Sequence, residues 1–260
     1  MLRSSLVLLA LAPVAGAQNL NVTDADRSLY AQAFGYDYEF NDGTSDSAST
    51  AATSGEWIDS VDADLYEWYG SHVGRGQAYQ ESQIDPDSLY FTLDVWADAY
   101  GNLFQSDALG RGDYEVTFTT TEKLRYIVYA HADTSYGYNT SSVRLSGAAG
   151  TEFQVDGSYG GWTTIVRTGW IDAGTYTLDG SAEAQAYAPS GSPDSQRGNA
   201  ECDFKTYHAA DYDLDGDVDG ADKSQFKADY LAGDEEADFD GDGDTDVFDW
   251  RKFKKAWKNA

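Results

Sequence analysis

The C-terminal segment 211–260 contains aspartates at a regular spacing that suits metal binding. Two twelve-residue stretches, 211–222 and 238–249, each carry Asp at positions 1, 3, 5, 7, 9 and 12 and Gly at position 6. Calcium prefers six to eight hard oxygen ligands, and a loop around it must turn sharply at its sixth residue, where glycine fits best. The spacing therefore predicts two Ca²⁺ sites. The candidate ligands are Asp211, Asp213, Asp215, Asp217, Asp219, Asp222, Asp238, Asp240, Asp242, Asp244, Asp246 and Asp249.

The two stretches are repeats of one unit and start 27 positions apart, at 211 and 238. Each is followed by apolar residues at helical spacing, first Phe226 and Tyr230, then Trp250, Phe253 and Trp257. The pattern predicts a loop followed by a helix, which is half of an EF-hand. Neither half can bury its aromatic residues alone, so we expect the halves to pack together and folding to depend on the metal. A solvated acidic tail is the alternative, but it would not need the regular glycine.

With these features, segment 211–259 resembles a type I dockerin, a module that attaches secreted proteins to a cohesin. The resemblance covers about a fifth of the chain. It implies a small all-α, two-loop calcium-binding domain whose partner is a cohesin-like protein. The calcium ligands match the family pattern. Positions 10 and 11, commonly a Ser-Thr-like pair that contacts cohesin, are instead Gly220-Ala221 and Val247-Phe248, so a different cell-surface partner is also open. The basic pair typical of the following helix stands at Lys254-Lys255 but not at Lys227-Ala228.

Outside this segment no enzyme motif stands out. His72, His131 and His208 are far apart, and the chain has no H-E-x-x-H, G-x-S-x-G, phosphate-binding loop or dinucleotide fingerprint. A glycoside hydrolase or polysaccharide lyase needs only a few well-placed side chains, and 45 acidic residues select no pair. The sequence therefore names no catalytic residue and favours a non-catalytic protein.

Aromatic side chains are the better lead in the N-terminal part, because the chain has 7 Trp and 19 Tyr. Flat rings on a sheet surface stack against sugar C–H faces, while nearby Asp, Asn and Gln bind hydroxyl groups. The alternative is that these rings pack the core and rim of a sandwich. One candidate cluster consists of Trp57, Tyr66, Trp68 and Tyr69, and the other consists of Tyr136, Tyr138, Asn139, Tyr159 and Trp162.

The N-terminus has the features of a secretory signal peptide over residues 1–17. Arg3 precedes an apolar run, 6–12, and Ala15-Gly-Ala17 forms a small-residue cleavage site. The run is shorter than the roughly twenty residues of a membrane span. We therefore expect a secreted, extracellular protein without a membrane span, and attachment to a cell surface through a partner is an open alternative. The net charge of −28 argues against nucleic acid as a partner.

Segment 18–207 predicts a mainly β domain, a β-sandwich or jelly roll, because short alternating runs are separated by Gly- and Ser-rich turns. The predicted strands are 88–96, 114–120, 124–131, 143–145, 153–155, 163–167, 176–178, 184–187 and 203–205. The run 124–131 is apolar on both faces, as in a central strand. Residues 41–55 are predicted to be a surface loop and 189–199 a hairpin connection. Cys202 has no partner for an internal disulfide and is predicted to be a buried, apolar-like residue.

Three functions remain open at this point. The favoured one is a secreted calcium-binding protein whose C-terminal module docks to a cohesin-type partner and whose sandwich binds a glycan, such as a polysaccharide, or a surface partner. The second is a small secreted polysaccharide-degrading enzyme on the same sandwich. The third is a non-catalytic structural surface protein.

Overall fold

The structure, a computed structural model, describes residues 20–36, 41–66, 72–100, 105–135, 139–157, 160–189 and 192–260. The expected signal peptide, 1–17, lies outside the described residues. The chain divides into two compact units, and the boundary between them falls between Tyr207 and His208. In the described part of the chain, no helix is long and apolar enough to span a membrane.

The larger unit is built from long antiparallel strands. They are β1 (Asn21–Tyr36), β2 (Asn41–Thr50), β3 (Gly55–Tyr66), β4 (His72–Ile84), β5 (Ser88–Ala99), β6 (Gln105–Thr120), β7 (Leu124–Thr134), β8 (Thr140–Gly147), β9 (Gly150–Asp156), β10 (Trp162–Ile171), β11 (Gly174–Ala188) and β12 (Asp194–His208). Sheet A has the order β2-β1-β6-β11-β8-β9, and sheet B has the order β10-β7-β12-β5-β4-β3. The two sheets pack face to face, which confirms the predicted β-sandwich.

The last eight strands form a nested set of antiparallel pairs. Strand β5 pairs with β12, β6 with β11, β7 with β10, and β8 with β9. Successive pairs alternate between the two sheets. That winding is a jelly roll, one of the two architectures that the sequence predicts. Strands β1 and β2 extend sheet A beside β6, and strands β3 and β4 extend sheet B beside β5.

Side chains between the sheets change in size along the sandwich. Large rings fill one part of the core, where Phe91 stacks on Tyr114 at 4.4 Å between ring centroids. Elsewhere the inward positions are mostly alanine, and the sheets come close enough for backbone contact. A Cβ atom at Gly76 would lie 2.1 Å from the Leu109 carbonyl oxygen, and one at Gly110 would lie 2.2 Å from that of Gln77. Only glycine fits at these two positions without a shift of the backbone.

All nine predicted strand segments lie within strands of the structure, and the predicted inward faces of β5 and β6 are buried. Leu89, Phe91, Leu93 and Val95 of β5 are fully buried, as is Cys202 of β12. Burial raises the pKa of the Cys202 thiol well above its usual range. The prediction for 124–131 is correct on one face only, because the outward side chains beyond Tyr126 are half-buried.

Three connections differ from prediction. Residues 41–50 form strand β2 rather than a loop, since their backbone pairs with β1 although the side chains are small and polar. The predicted runs 176–178 and 184–187 belong to the single strand β11. Residues 194–199 already belong to β12, and the segment after β11 crosses from sheet A to sheet B, so it is not a hairpin.

The smaller unit contains two helices, α1 (Gly220–Ala232) and α2 (Val247–Asn259), with a 3₁₀ turn at Glu235–Ala237 between them. Each helix begins directly after one of the aspartate-rich loops. The described residues before Asp211 are a turn and the end of β12, so each repeat is a loop followed by a helix. The helices run antiparallel, because Tyr230 near the end of α1 meets Trp250 near the start of α2, with ring centroids 5.8 Å apart.

Candidate metal centres

The carboxylates of each loop converge into two overlapping clusters. In the first loop, carboxylate oxygens of Asp211, Asp213 and Asp222 lie within 4.8 Å of one another, as do those of Asp217, Asp219 and Asp222. The second loop repeats this arrangement at equivalent positions. Its clusters are Asp238, Asp240 and Asp249, then Asp244, Asp246 and Asp249. Position 12 belongs to both clusters of its loop, so a single cation bound there would have acidic oxygens on both sides.

The position-12 carboxylates also organise the loop backbone. Asp222 Oδ1 accepts the Asp213 N–H at 3.1 Å, and its Oδ2 accepts the Asp219 N–H at 2.6 Å. Asp249 accepts the equivalent N–H groups at 3.0 and 2.6 Å. Both side chains are fully buried. Each closes a capping box at the first turn of its helix, with position 9 as the N-cap. The sequence pattern therefore positions one end of the loop against the other.

Two residues in each loop have left-handed backbone. At position 6, Gly216 has φ +101° and Gly243 has φ +95°, in keeping with the glycine that the sequence predicts there. Position 4 is also left-handed, which sequence reasoning missed. The second loop has Gly241 there, at φ +75°, whereas the first has Leu214, at φ +61°. A leucine in this region is strained by its Cβ atom.

The remaining predicted ligands are Asp215 and Asp242, at position 5, and they belong to neither cluster. Asp215 Oδ1 accepts the Asp217 N–H at 3.1 Å, and Asp242 Oδ1 accepts the Asp244 N–H at 3.2 Å. These bonds close small turns that stabilise the loop after the glycine. The structure therefore brings five of the six predicted side chains of each loop together.

The first loop contains buried oxygens without hydrogen-bond partners. Asp211 is 3% exposed, and its Oδ2 accepts the Gly216 N–H at 3.0 Å. Its Oδ1 and the Oδ1 of Asp213 have no partner among the described residues. A buried carboxylate oxygen without a donor is costly unless a cation satisfies it. The donor chemistry of the loop, hard and anionic oxygen, fits calcium.

The raised pKa values of several loop carboxyl groups also fit a cation site. Burial, followed by the repulsion of Asp222, raises the pKa of Asp211 to about 7. Burial and Asp222 also raise the pKa of Asp213. The neighbouring Asp215 carboxylate raises the pKa of Asp217, and Asp242 does the same for Asp244. Burial is thus the main cause of the raised pKa for Asp211 and Asp213, and repulsion by a neighbouring carboxylate is the main cause for Asp217 and Asp244.

Four aromatic rings hold the two loop–helix units together. Tyr212 and Phe239 stand at loop position 2, and Phe226 and Phe253 stand four residues after each loop. Tyr212 contacts Phe226 edge to face at 5.2 Å, and Phe239 contacts Phe253 edge to face at 5.8 Å. All four rings are buried. Each loop is thus tied through its second residue to a core that both repeats share.

The two loops differ in one charged contact. In the second loop, Lys252 Nζ lies 3.2 Å from Asp240 Oδ2. The equivalent residue of the first repeat is Gln225, and the equivalent carboxylate is Asp213, whose Oδ1 is unpartnered among the described residues. Lys252 therefore offsets part of the negative charge of the second loop, at the cluster that contains Asp240.

Of the rings predicted as a sugar platform, the structure describes three, and they lie on β3 and β10, the two opposite edge strands of sheet B. Trp57 is half-buried, where it packs against the core and lies 5.8 Å under the buried guanidinium of Arg27. Tyr66 is exposed at the end of β3, and Trp162 is 70% exposed on the edge strand β10. Trp68, Tyr69, Tyr136, Tyr138 and Tyr159 lie outside the described residues.

Outside the two aspartate-rich loops, the histidines and half-buried acids form no metal cluster among the residues described. His131 Nδ1 is 2.7 Å from the Thr164 hydroxyl, and His208 Nδ1 accepts the Ala210 N–H. On β12, burial raises the pKa of Glu201, with smaller contributions from Asp94 and Asp203. A raised carboxyl pKa on an outward sheet face is not by itself an active site.

No protein-family model matches the chain, and no curated protein matches it. Two solved structures show a distant likeness. One is a carbohydrate-binding module (CBM6cm-2) of Cellvibrio mixtus lichenase 5A in complex with cellotriose, at 14% identity, covering 58% of this chain and 86% of that chain, with a TM-score of 0.20. The other is Arthrobacter globiformis T6 isomalto-dextranase complexed with panose, at 10% identity, covering 67% and 29%, also with a TM-score of 0.20. Likeness at this level assigns neither family nor ligand.

Proposed function

We propose that the C-terminal unit binds two calcium ions and is a docking module of dockerin type, and that the β-sandwich it accompanies binds a glycan or a surface partner. The single observation that carries the metal proposal is the buried Asp211 carboxylate, whose Oδ1 lacks a partner among the described residues while further carboxylates converge on it. Asp238 is its counterpart in the second loop.

Calcium would act on the fold as well as on charge. Residues 211–260 carry net negative charge in two tight clusters, and bound Ca²⁺ would offset the repulsion within each. The aromatic core formed by Phe226 and Phe253 is small, so the stability of this unit should depend on the ions. Partner binding would then be calcium-dependent, because it needs ordered helices.

The docking role is supported by exposed apolar residues on the helices. Val247 and Phe248, at the start of α2, are 45% and 54% exposed, and Leu231, near the end of α1, is 72% exposed. Since the helices are antiparallel, the end of α1 lies beside the start of α2. Arg251 packs its guanidinium against the Phe248 ring at 5.6 Å. Aromatic and arginine side chains of this kind are common anchors in protein interfaces.

Calcium titration of the full chain by calorimetry tests the metal proposal. We expect two ions per chain for the wild type and one ion for Asp222→Asn or Asp249→Asn, because each substitution removes the carboxylate shared by both clusters of one loop. Glu235→Gln, in the exposed turn between the repeats, is the charge-matched control and should still bind two. Absence of calcium binding by a folded wild-type protein would overturn the proposal.

Docking is tested separately, by surface plasmon resonance against an immobilised cohesin-type module in calcium and in chelator. We expect calcium-dependent binding that Phe248→Asp weakens at least tenfold while the calcium stoichiometry stays at two. If the wild type binds two ions but no such module, calcium binding stands and the cohesin-type partner is wrong.

A further inference from the structure

The outer face of sheet A carries a pocket that the aromatic clusters of the sequence did not indicate. Strand pairing places Phe34 of β1, Asp107 of β6 and Tyr187 of β11 side by side. The next outward row consists of Gln32, Leu109 and Gln185 on the same three strands. Five of these six residues line a shallow pocket of about 160 Å³, and Tyr187 lies beside it as the strand partner of Asp107.

The pocket and the Tyr187 ring beside it combine aromatic rings with polar groups that have hydrogen-bonding capacity left. Phe34 is 39% exposed and Tyr187 is 46% exposed. Asp107 Oδ2 accepts the Tyr36 hydroxyl at 3.1 Å, which leaves its other oxygen available. The side-chain amides of Gln32 and Gln185 have no hydrogen-bond partner among the described residues. Rings beside a carboxylate and two amides provide both the stacking surface and the donors and acceptors that a sugar ring requires.

The backbone beneath the pocket packs directly against the opposite sheet. Gly110 lies between Leu109 and Arg111 on β6, with the backbone of β4 and β5 directly behind it, since a Cβ there would be 2.2 Å from the Gln77 oxygen and 2.7 Å from the Trp96 oxygen. The outward side chains on this part of β6 therefore project from a backbone that is in direct contact with sheet B. A preformed site loses little conformational freedom on binding.

We propose that this pocket is a subsite for one pyranose ring of a neutral polysaccharide. The proposal rests on the glycan-binding part of the proposed function and gives it a location and a ligand class. The ligand is neutral because the pocket contains the Asp107 carboxylate and the chain carries a net charge of −28, so uronate or sulfated polymers are repelled. The size of the pocket suits a single ring, with neighbouring sugars lying along the open sheet face.

The test is calorimetric titration of the calcium-loaded full chain with four neutral probes, cellohexaose, xylohexaose, mannohexaose and laminarihexaose, and with polygalacturonate as the anionic control. We expect at least one neutral hexaose to bind and polygalacturonate not to bind. Tyr187→Ala and Gln185→Ala should each weaken that binding at least fivefold. Trp162→Ala, which removes an exposed ring from the edge strand of sheet B, should leave it unchanged. Thermal melting verifies that each variant is folded.

The outcomes separate the pocket from the broader function. Neutral binding that Trp162→Ala abolishes and Tyr187→Ala leaves intact would overturn the pocket while keeping a glycan-binding sandwich. Binding of polygalacturonate alone would overturn the ligand class. Absence of binding to any probe by the folded wild type would overturn both the pocket and the glycan part of the proposed function, while the calcium result stays independent.

Discussion

The rings of Phe226 and Phe253 lie parallel, 4° apart in orientation, with centroids 4.0 Å from each other. They occupy the same position in the two repeats, so this contact lies at the centre of the pseudo-symmetric C-terminal unit. Each ring also touches the position-2 aromatic of both loops. The stack therefore links the two candidate metal loops through one shared contact. We expect that loss of structure in one loop also lowers the stability of the other.

Phe253→Ala should lower the free energy of unfolding of the calcium-loaded C-terminal unit by about 3–5 kcal/mol, since it removes a fully buried ring from a small core. Urea unfolding of the full chain, followed by tryptophan fluorescence, measures the change. Leu231→Ala is the control, because Leu231 is 72% exposed and its loss should cost little. Equal effects of the two substitutions would refute the proposed core.

Leu214→Gly should stabilise the first loop. Leu214 has φ +61°, a conformation that costs a non-glycine residue about 1–2 kcal/mol, and the second repeat already has Gly241 at this position. We expect a higher melting temperature of the C-terminal unit in calcium and a tighter first site. A lower melting temperature, with the unit otherwise intact, would show that the Leu214 side chain contributes packing that outweighs its strain.

Lys252→Gln should strengthen calcium binding at the second loop. The substitution removes the Lys252–Asp240 ion pair and restores the residue type of the first repeat, Gln225. Partly exposed pairs contribute about 0.2–1 kcal/mol, so the dissociation constant should fall by up to about fivefold. Lys255→Gln removes the same charge from the exposed side of α2 and is the matched control for calorimetry. An equal gain in both variants would indicate a general charge effect rather than competition by Lys252.

Gly110→Ala should destabilise the sandwich by about 1–3 kcal/mol or more, because the added methyl group meets the backbone oxygen of Gln77 at 2.2 Å. Gly174→Ala provides the contrast. Its Cβ would lie 3.7 Å from the nearest atom, a Tyr176 ring carbon, and should be tolerated. The measurement is thermal or denaturant unfolding of both variants. A neutral Gly110→Ala would mean that the sheets do not contact each other there.

Glu201→Gln should stabilise the sandwich at neutral pH and lose that advantage in acid. Burial raises the pKa of Glu201 in the folded protein above its ordinary value of 4.5, so folding favours the protonated form. The penalty for the charged form is therefore present above the raised pKa and disappears as pH falls through it toward 4.5. Comparing the free energy of unfolding of the variant with that of the wild type at each pH removes the contribution of the other acidic residues, which the two proteins share. A pH-independent difference in the free energy of unfolding would contradict the shift.

Local spacing was enough to predict the C-terminal unit in considerable detail. Aspartates at fixed positions, glycine at position 6 and aromatics at helical spacing predicted the loops, the following helices and their mutual packing. The pattern was informative because every contact that closes a loop, such as Asp222 to Asp213 N–H, spans few residues. The left-handed Leu214 and the Lys252–Asp240 pair were missed, since neither belongs to the repeated pattern.

In the sandwich, alternation predicted those strands whose inward residues are large, such as β5 with Leu89 and Phe91. Strands β1, β3 and β4 gave weak signals, because their inward positions include Ala, Gln, Ser and even the buried Arg27. Where two sheets approach closely, small residues face inward and the hydrophobic contrast on which alternation depends is lost.

The sequence by itself determined the candidate metal ligands, the β class of the larger unit and the burial of Cys202. Only the tertiary structure decided the nested winding of β5 to β12 and which aromatic rings share a surface. Phe34, Asp107 and Tyr187 are about 70 to 150 residues apart in the chain and meet only because β6 lies between β1 and β11. Strand order is set by long-range backbone pairing, and the local sequence of any one strand does not specify its neighbours.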